Sequence, residues 1–210
     1  RVRSSAASDV YKRQDSIPAW GVIVKRTREL ETICLELFFC MFHVKQLRKV
    51  KRCDKMVMEK LWEQYEFRNI KQEEIPQAAE IEKRCFPPNE ACSYEHMEQR
   101  VKKAPELFLV AVDKKTGLLA GFLNGLATEK EHLTDDFFTD AEVHNPAGEN
   151  IMLLGLDVLP EHRGRGLART LVEEYIRREK EKDRKKLILT CVEEKVEMYK
   201  KFGFMDHGIG

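Results

Sequence analysis

The chain has 210 residues, of which 35% are charged and 42% hydrophobic, and its formal net charge is +1. This balance argues against a nucleic-acid-binding protein that works through bulk positive charge, and no apolar run reaches the roughly 20 residues that cross a bilayer. The six cysteines form no Cys-x-x-Cys pair and the six histidines show no metal-ligand spacing, so we expect a soluble, cytoplasmic protein without a metal, nucleic-acid or membrane partner.

The first 58 residues differ in composition from the rest of the chain. Residues 1–14 are polar and basic, and a second basic stretch covers residues 45–55. We predict that residues 1–58 are a leader outside the domain, or upstream read-through, and that the domain covers residues 65–210. Apolar side chains between Leu30 and Leu47 fall on a rough helical stripe, so a partner-binding or membrane-surface helix is the alternative.

From Tyr65 onward, the spacing of apolar residues predicts strands interleaved with helices. Ser93 is the expected N-cap of the second helix, and Pro87 breaks the first. This interleaving predicts a mixed α/β fold. The predicted elements in chain order are strand 65–70, helix 73–85, helix 93–103, strands 107–113 and 118–127, strand 151–159, a helix from about 166, strand 186–191, helix 194–202 and a strand from 204.

The turn that follows the strand at 151–159 is the most informative segment. Residues 163–168 read Arg-Gly-Arg-Gly-Leu-Ala, and Gly164 and Gly166 permit a positive φ and a close approach of a ligand to the backbone. Unpaired N–H groups at the start of the following helix attract anions. We predict that this turn binds a diphosphate, and the alternative is a tight exposed turn with solvated arginines. The residues match neither a Walker loop nor a dinucleotide fingerprint.

Two motifs resemble a known family. Arg163-x-x-Gly166-x-Ala168 resembles the Gln/Arg-x-x-Gly-x-Gly/Ala motif of the GCN5-related N-acetyltransferases (GNAT), which receives the pyrophosphate of acetyl-coenzyme A. Residues 198–204 resemble the family's Tyr-x-x-x-Gly-Phe close. Residues 81–87 and 106–112 add a likeness to the arylalkylamine N-acetyltransferase branch and its bacterial relatives. The resemblance implies a GNAT-type mixed, mostly antiparallel sheet flanked by helices. Because relatives have one more strand after the Gly-Phe close, we expect the C-terminal strand to be truncated.

The resemblance also implies the cosubstrate and the residues that act on it. Tyr199 matches the tyrosine that lies near the thioester sulfur in the arylalkylamine branch, where it can protonate the leaving thiolate; the alternative is that Tyr199 only packs against the core. Acetyl-CoA is the implied cosubstrate. The implied cofactor-binding residues are Leu156, Asp157 and Val158 in the strand and Arg163, Gly164, Arg165, Gly166, Leu167, Ala168 and Arg169 in the turn and helix.

The general base is left open by the sequence. Animal arylalkylamine enzymes carry two histidines in the fourth strand of the family, but the matching positions here are Met152 and Leu154, which cannot accept protons. A water chain is one alternative. The other candidates are Glu149, His144, Glu82 and Asp157.

The expected function is transfer of an acetyl group to a small amine, such as an (aryl)alkylamine or a polyamine-like acceptor. Five acidic residues between Asp135 and Glu149 would attract a cationic amine, although a solvated loop is the commoner reason for such charge. The alternatives are a non-catalytic coenzyme-A-binding sensor domain, suggested by the missing histidines, and an acetyltransferase of a protein amine. No oligomeric state is predicted.

Overall fold

The computed structural model describes residues 20–26, 58–88 and 90–209, which share one seven-stranded sheet. The strands are β1 (Trp20–Arg26), β2 (Tyr65–Asn69), β3 (Phe108–Asp113), β4 (Leu119–Thr128), β5 (Asn150–Val158), β6 (Lys186–Val192) and β7 (Met205–Ile209). The helices are α1 (58–64), α2 (Ile75–Cys85), α3 (Tyr94–Lys103), α4 (Asp136–Thr139), α5 (Leu167–Lys180) and α6 (Glu193–Lys201).

The sheet has the strand order β2-β3-β4-β5-β6-β1-β7. Every neighbouring pair is antiparallel except β5 and β6, which run parallel. The chain returns from β5 to β6 through α5, as a parallel crossover requires. This arrangement confirms the predicted mixed α/β fold with a mostly antiparallel sheet flanked by helices.

The helices cover the two faces of the sheet because each has one apolar stripe. On one face, α2 and α3 pack on β3 and β4 through a buried cluster that includes Ile81, Met97 and Phe122. On the other face, α5 packs through residues such as Leu171 and Tyr175. The strands between these layers are buried on both faces, so they read as apolar runs rather than as alternating patterns.

The helix ends follow local sequence signals. The Ser93 side chain accepts a hydrogen bond from the amide of His96, as predicted for an N-cap. Helix α2 ends at Cys85, and the next residue, Phe86, has the extended backbone that a following proline favours. The polar stretch before β5, predicted as a loop, contains the short helix α4.

Strand β1 lies between β6 and β7, pairing with β6 along its whole length and with β7 through three residues. It falls inside the segment predicted as a leader, and the assignment of residues 1–58 to a non-domain leader stays a prediction. Strand β7 follows the Gly203-Phe204 close. The predicted helical stripe of residues 30–47 lies outside the described residues.

Across the described ranges, no helix combines the length and the apolar character needed to cross a bilayer.

Candidate active site

The turn between β5 and α5 presents a row of backbone N–H groups. Gly164 and Gly166 have positive φ angles of 72° and 91°, and Gly166 is the left-handed N-cap of α5. The first helical bond runs from the Thr170 amide to the Gly166 carbonyl at 3.0 Å, and the amides of residues 164–169 make no backbone hydrogen bond in the described chain. The turn therefore has the donors and the positive helix end that bind an anion.

The arginines of this turn have different surroundings. Arg163 donates from Nε to the Val158 carbonyl at 2.7 Å and from an Nη to the Cys85 sulfur at 3.3 Å, so its side chain ties the turn to β5 and α2. Arg169 donates to Glu173 one helical turn later at 2.8 Å. The exposed Arg165 lies next to the Tyr65 hydroxyl. A phosphate contact by any of the three remains a prediction.

Tyr65, a buried residue of β2, contacts the segment that leads into the turn. The hydroxyl of Tyr65 lies 2.7 Å from Nδ1 of His162, which is in the single 3-10 turn that leads into the glycines. It also accepts a hydrogen bond from the Gln64 side-chain amide at 3.0 Å. Burial raises the pKa of Tyr65, and the nearby Arg165 guanidinium opposes this. The hydroxyl therefore stays protonated and holds His162 in place.

Strand β5 separates from β6 after the first third of its length. It pairs with β6 only through Asn150, Ile151 and Met152, while its pairing with β4 continues to Val158. The register to β4 shifts between Asn124–Gly155 and Gly125–Leu153, so Leu154 is the extra residue of a bulge. Beyond Met152, the β6 side of β5 is an open strand edge that an extended ligand can pair with.

Tyr199 lies beside the opening between β5 and β6, which is the unpaired edge of β5 beyond Met152. Its ring makes edge contacts with Phe202 and Phe204 at centroid distances of 6.1 and 5.6 Å. Burial raises the pKa of the phenol above its usual value, and the charges of Cys191 on β6 and Asp157 on β5 raise it further. The phenol is therefore protonated over the whole neutral range and can act as a proton donor.

Three polar side chains are buried on the opposite side of the opening, between α2 and the sheet. Asn124 and Asp157 have an exposed fraction of 1% each and Glu82 of 5%. No hydrogen bond reaches either carboxylate oxygen of Asp157, Oε2 of Glu82 or the amide group of Asn124 from the described residues. The other Glu82 oxygen, Oε1, accepts from the Cys92 amide at 3.0 Å. Unpaired polar groups in a native core are rare, so this cluster calls for a functional explanation.

The surroundings of the Asp157 carboxyl disfavour its ionised form. Burial is the main cause that raises its pKa well above the usual range, and the adjacent Glu82 carboxyl raises it further. The Cys85 thiol and the Arg163 guanidinium oppose this shift. A buried carboxyl beside a second carboxyl resists ionisation, so Asp157 keeps its proton to higher pH than an exposed aspartate does.

Two other residues proposed as the general base, His144 and Glu149, already interact with other residues of the chain. Nδ1 of His144 accepts a hydrogen bond from the Ala127 amide at 3.1 Å, and its Nε2 lies 3.2 Å from Glu106. Nε2 therefore carries the proton, and the neutral imidazole has no lone pair left for a substrate. Burial lowers the pKa of His144. Glu149 forms an exposed ion pair with Lys185.

The acidic loop before β5 is largely neutralised by local partners. Asp136 pairs with Lys130 at 2.9 Å, and Asp140 accepts from the Glu142 amide at 2.8 Å. Glu142 in turn pairs with Lys103. These contacts favour the solvated-loop interpretation, and the attraction of a cationic amine by this loop stays a prediction.

Sequence reasoning missed Asn124 and the bulge at Leu154. An asparagine inside the apolar run of β4 is a signal that was available, because a buried amide requires a partner. The bulge has no such signal, since it follows from the pairing of two strands. Of the residues named as possible bases, the structure brings Glu82 and Asp157 together.

Comparison with known proteins gives a family and a fold. The model of the Acetyltransferase (GNAT) family matches residues 75–204. No curated protein matches the sequence.

Solved structures share the fold at low identity. A GCN5-related N-acetyltransferase from Sphaerobacter thermophilus is 15% identical, with a TM-score of 0.55; the match covers 99% of this chain and 55% of that one. An acetyltransferase from Trypanosoma brucei is 20% identical, with a TM-score of 0.51, and the match covers 70% of this chain and 96% of that one. Glucosamine-6-phosphate N-acetyltransferase from Arabidopsis thaliana is 16% identical, with a TM-score of 0.51 and coverages of 70% and 95%. The chain thus spans little more than half the length of the Sphaerobacter protein.

Proposed function

Because this chain belongs to the GNAT acetyltransferase family, we propose that it transfers the acetyl group of acetyl-CoA to a primary amine. A small (aryl)alkylamine is the proposed acceptor, and the cytoplasm is the proposed location. The observation that supports the proposal is that three features lie next to one another. These are the turn with its free N–H groups, the open edge of β5 that leads from the turn, and Tyr199 beside that edge. A diphosphate, an extended amide-containing arm and a thioester are connected in the same order in acetyl-CoA.

Each proposed step uses a group of this chain. The amides of the turn and the positive end of α5 hold the diphosphate. The unpaired edge of β5 holds the amide-containing arm as a neighbouring strand would, and a backbone N–H near the bulge stabilises the negative charge that develops on the thioester oxygen. Tyr199 gives its proton to the leaving sulfur.

The experiment that tests this function measures thiol release from acetyl-CoA with a panel of primary amines. We expect release that depends on the amine and saturates with it. Tight acetyl-CoA binding without amine-dependent release would favour a coenzyme-A-binding sensor. Release only with a peptide that carries a free amine would favour a protein acetyltransferase.

The support that Tyr65 gives to the turn leads to a second prediction. Tyr65→Phe removes the bond to His162 and should weaken acetyl-CoA binding by about 3- to 10-fold, which is about 1 kcal/mol for one lost hydrogen bond. Calorimetric titration with acetyl-CoA measures this. Tyr94→Phe is the matched control, because Tyr94 is 42% exposed on α3 and should bind normally. Equal affinity of both variants would contradict the supporting role.

A further inference from the structure

Three buried polar side chains between α2 and the sheet, Glu82, Asn124 and Asp157, have oxygen or nitrogen atoms that form no hydrogen bond with the described residues. Asn124 lies opposite Gly155, and Asp157 lies opposite Phe122, in the pairing of β4 with β5. Directly paired residues share one face of a sheet, and Phe122 packs in the core cluster that contains the apolar side of α2. The Asn124 amide and the Asp157 carboxyl therefore project to the same side as Glu82, which lies on α2.

Gly155 lets the backbone of β5 come close to these groups. A Cβ at this position would lie 3.0 Å from Nδ2 of Asn124 and 3.2 Å from Oδ2 of Asp157. The amide and the carboxyl thus flank one point above the strand, next to the bulge at Leu154. An unpaired asparagine that is almost completely buried beside two carboxyls indicates a site for a polar ligand rather than a packing accident.

The acceptor groups of Glu82, Asp157 and Asn124 fit a primary ammonium better than a secondary one. The two carboxyl groups offer acceptor oxygens, and Asn124 adds a third acceptor group when its amide turns so that Oδ1 rather than Nδ2 faces the point above Gly155. A primary ammonium has one positive charge and three N–H donors. A secondary ammonium has two donors and would leave one acceptor unpaired, which is costly in a buried site.

We propose that Glu82, Asp157 and Asn124 form the pocket that receives the acceptor as a primary ammonium, and that the Glu82–Asp157 pair takes the proton that activates it. This inference rests on the proposed function. Tyr199 lies close enough to Asp157 to respond to its charge, so the pocket and the proton donor flank the same opening between β5 and β6. The pocket would bind the amine from one face of the sheet, and Tyr199 would protonate the leaving thiolate from the other face.

The proton and electron movements balance in this arrangement. An ammonium N–H bond breaks and its proton goes to the carboxylate of the pair. The free nitrogen forms a bond to the thioester carbonyl carbon, and the C–S bond breaks with its electron pair on sulfur. Tyr199 gives its proton to that sulfur, and the second proton lost by the nitrogen returns to Tyr199. The products are the amide, the thiol and a protonated carboxyl pair, which releases its proton to solvent when the amide leaves.

The test uses the full chain with 2-phenylethylamine and its N-methyl derivative as probes. We expect Glu82→Gln and Asp157→Asn each to lower kcat/KM for 2-phenylethylamine by at least about 100-fold, with acetyl-CoA affinity unchanged in calorimetry. The wild type should prefer 2-phenylethylamine over the N-methyl amine by at least about tenfold. Glu80→Gln is the matched control, because Glu80 is exposed on the same helix, and it should behave as the wild type.

The pH profile separates proton transfer from a structural role. The groups that face Asp157 are Glu82 and Cys85 from α2, Arg163 from the turn, Tyr199 from α6 and Cys92 before α3. Because burial raises the pKa of Asp157, wild-type kcat/KM should rise with pH as this carboxyl loses its proton, above the pH range of an ordinary aspartate, and this rise should disappear in Asp157→Asn. If Asp157→Asn does not fold, Glu82→Gln decides alone, since its amide oxygen still accepts from Cys92. Normal turnover in that variant would overturn the inference. Absence of amine-dependent thiol release in the wild type would instead refute the proposed function, and the inference with it.

Discussion

Tyr199→Phe is expected to lower kcat for amine acetylation by about 100-fold or more, the usual contribution of a positioned general acid. The variant keeps the ring contacts with Phe202 and Phe204, so the fold and acetyl-CoA affinity should be unchanged. Steady-state thiol release gives kcat, and calorimetry gives the dissociation constant of acetyl-CoA. Loss of turnover without loss of binding would identify Tyr199 as a group that acts on the reacting atoms.

The pH dependence of the wild type adds a second test of the same residue. An ordinary tyrosine is half ionised at about pH 10. Because burial raises the pKa of Tyr199, its proton-bearing form persists to higher pH, and kcat should not fall as pH approaches 10. Unchanged kcat in Tyr199→Phe would show that the phenol only packs against the core.

Gly164→Ala is expected to weaken acetyl-CoA binding by about tenfold or more, equivalent to about 1.4 kcal/mol. The added methyl group would stand on the turn that presents the free amides, where a phosphate must approach the backbone closely. The substitution also forces a non-glycine residue into a positive φ, which costs roughly 1–2 kcal/mol of stability. Calorimetric titration and thermal unfolding measure the two effects separately.

Gly117 provides a matched control for this substitution. It has the same φ of 72° as Gly164, and a Cβ at either position would meet nothing within 4 Å. Gly117→Ala should therefore lose the same amount of stability but none of the affinity, since Gly117 lies in the hairpin between β3 and β4. Equal affinities of the two variants would argue against phosphate binding at the turn.

The order and type of most elements could be predicted from local patterns. The stop at Pro87, the cap at Ser93 and the glycines before α5 act within a few residues, so the sequence alone locates the helix ends. The turn at 163–168 is predictable for the same reason. Its chemistry depends on backbone groups that any strand–glycine–helix segment presents.

The remaining features depend on contacts between distant parts of the chain. The place of β1 between β6 and β7 involves a pairing across more than 150 residues, and no local pattern in Trp20–Arg26 specifies it. The bulge at Leu154 and the tie between Arg163 and Cys85 also arise only when strands and helices meet. Whether Glu82 and Asp157 share a pocket cannot be read from two carboxyls 75 positions apart in the sequence.

Binding of a diphosphate at the turn is tested by calorimetric titration with acetyl-CoA and with S-acetylpantetheine, which lacks the diphosphate and the adenosine attached to it. We expect saturable binding of acetyl-CoA to one site and binding of S-acetylpantetheine that is weaker by about 100-fold, because the proposed contacts of the turn and of the N-terminal end of α5 are made with the diphosphate. Equal affinity for the two ligands, or no association of acetyl-CoA with the folded chain, would show that the turn does not bind the diphosphate.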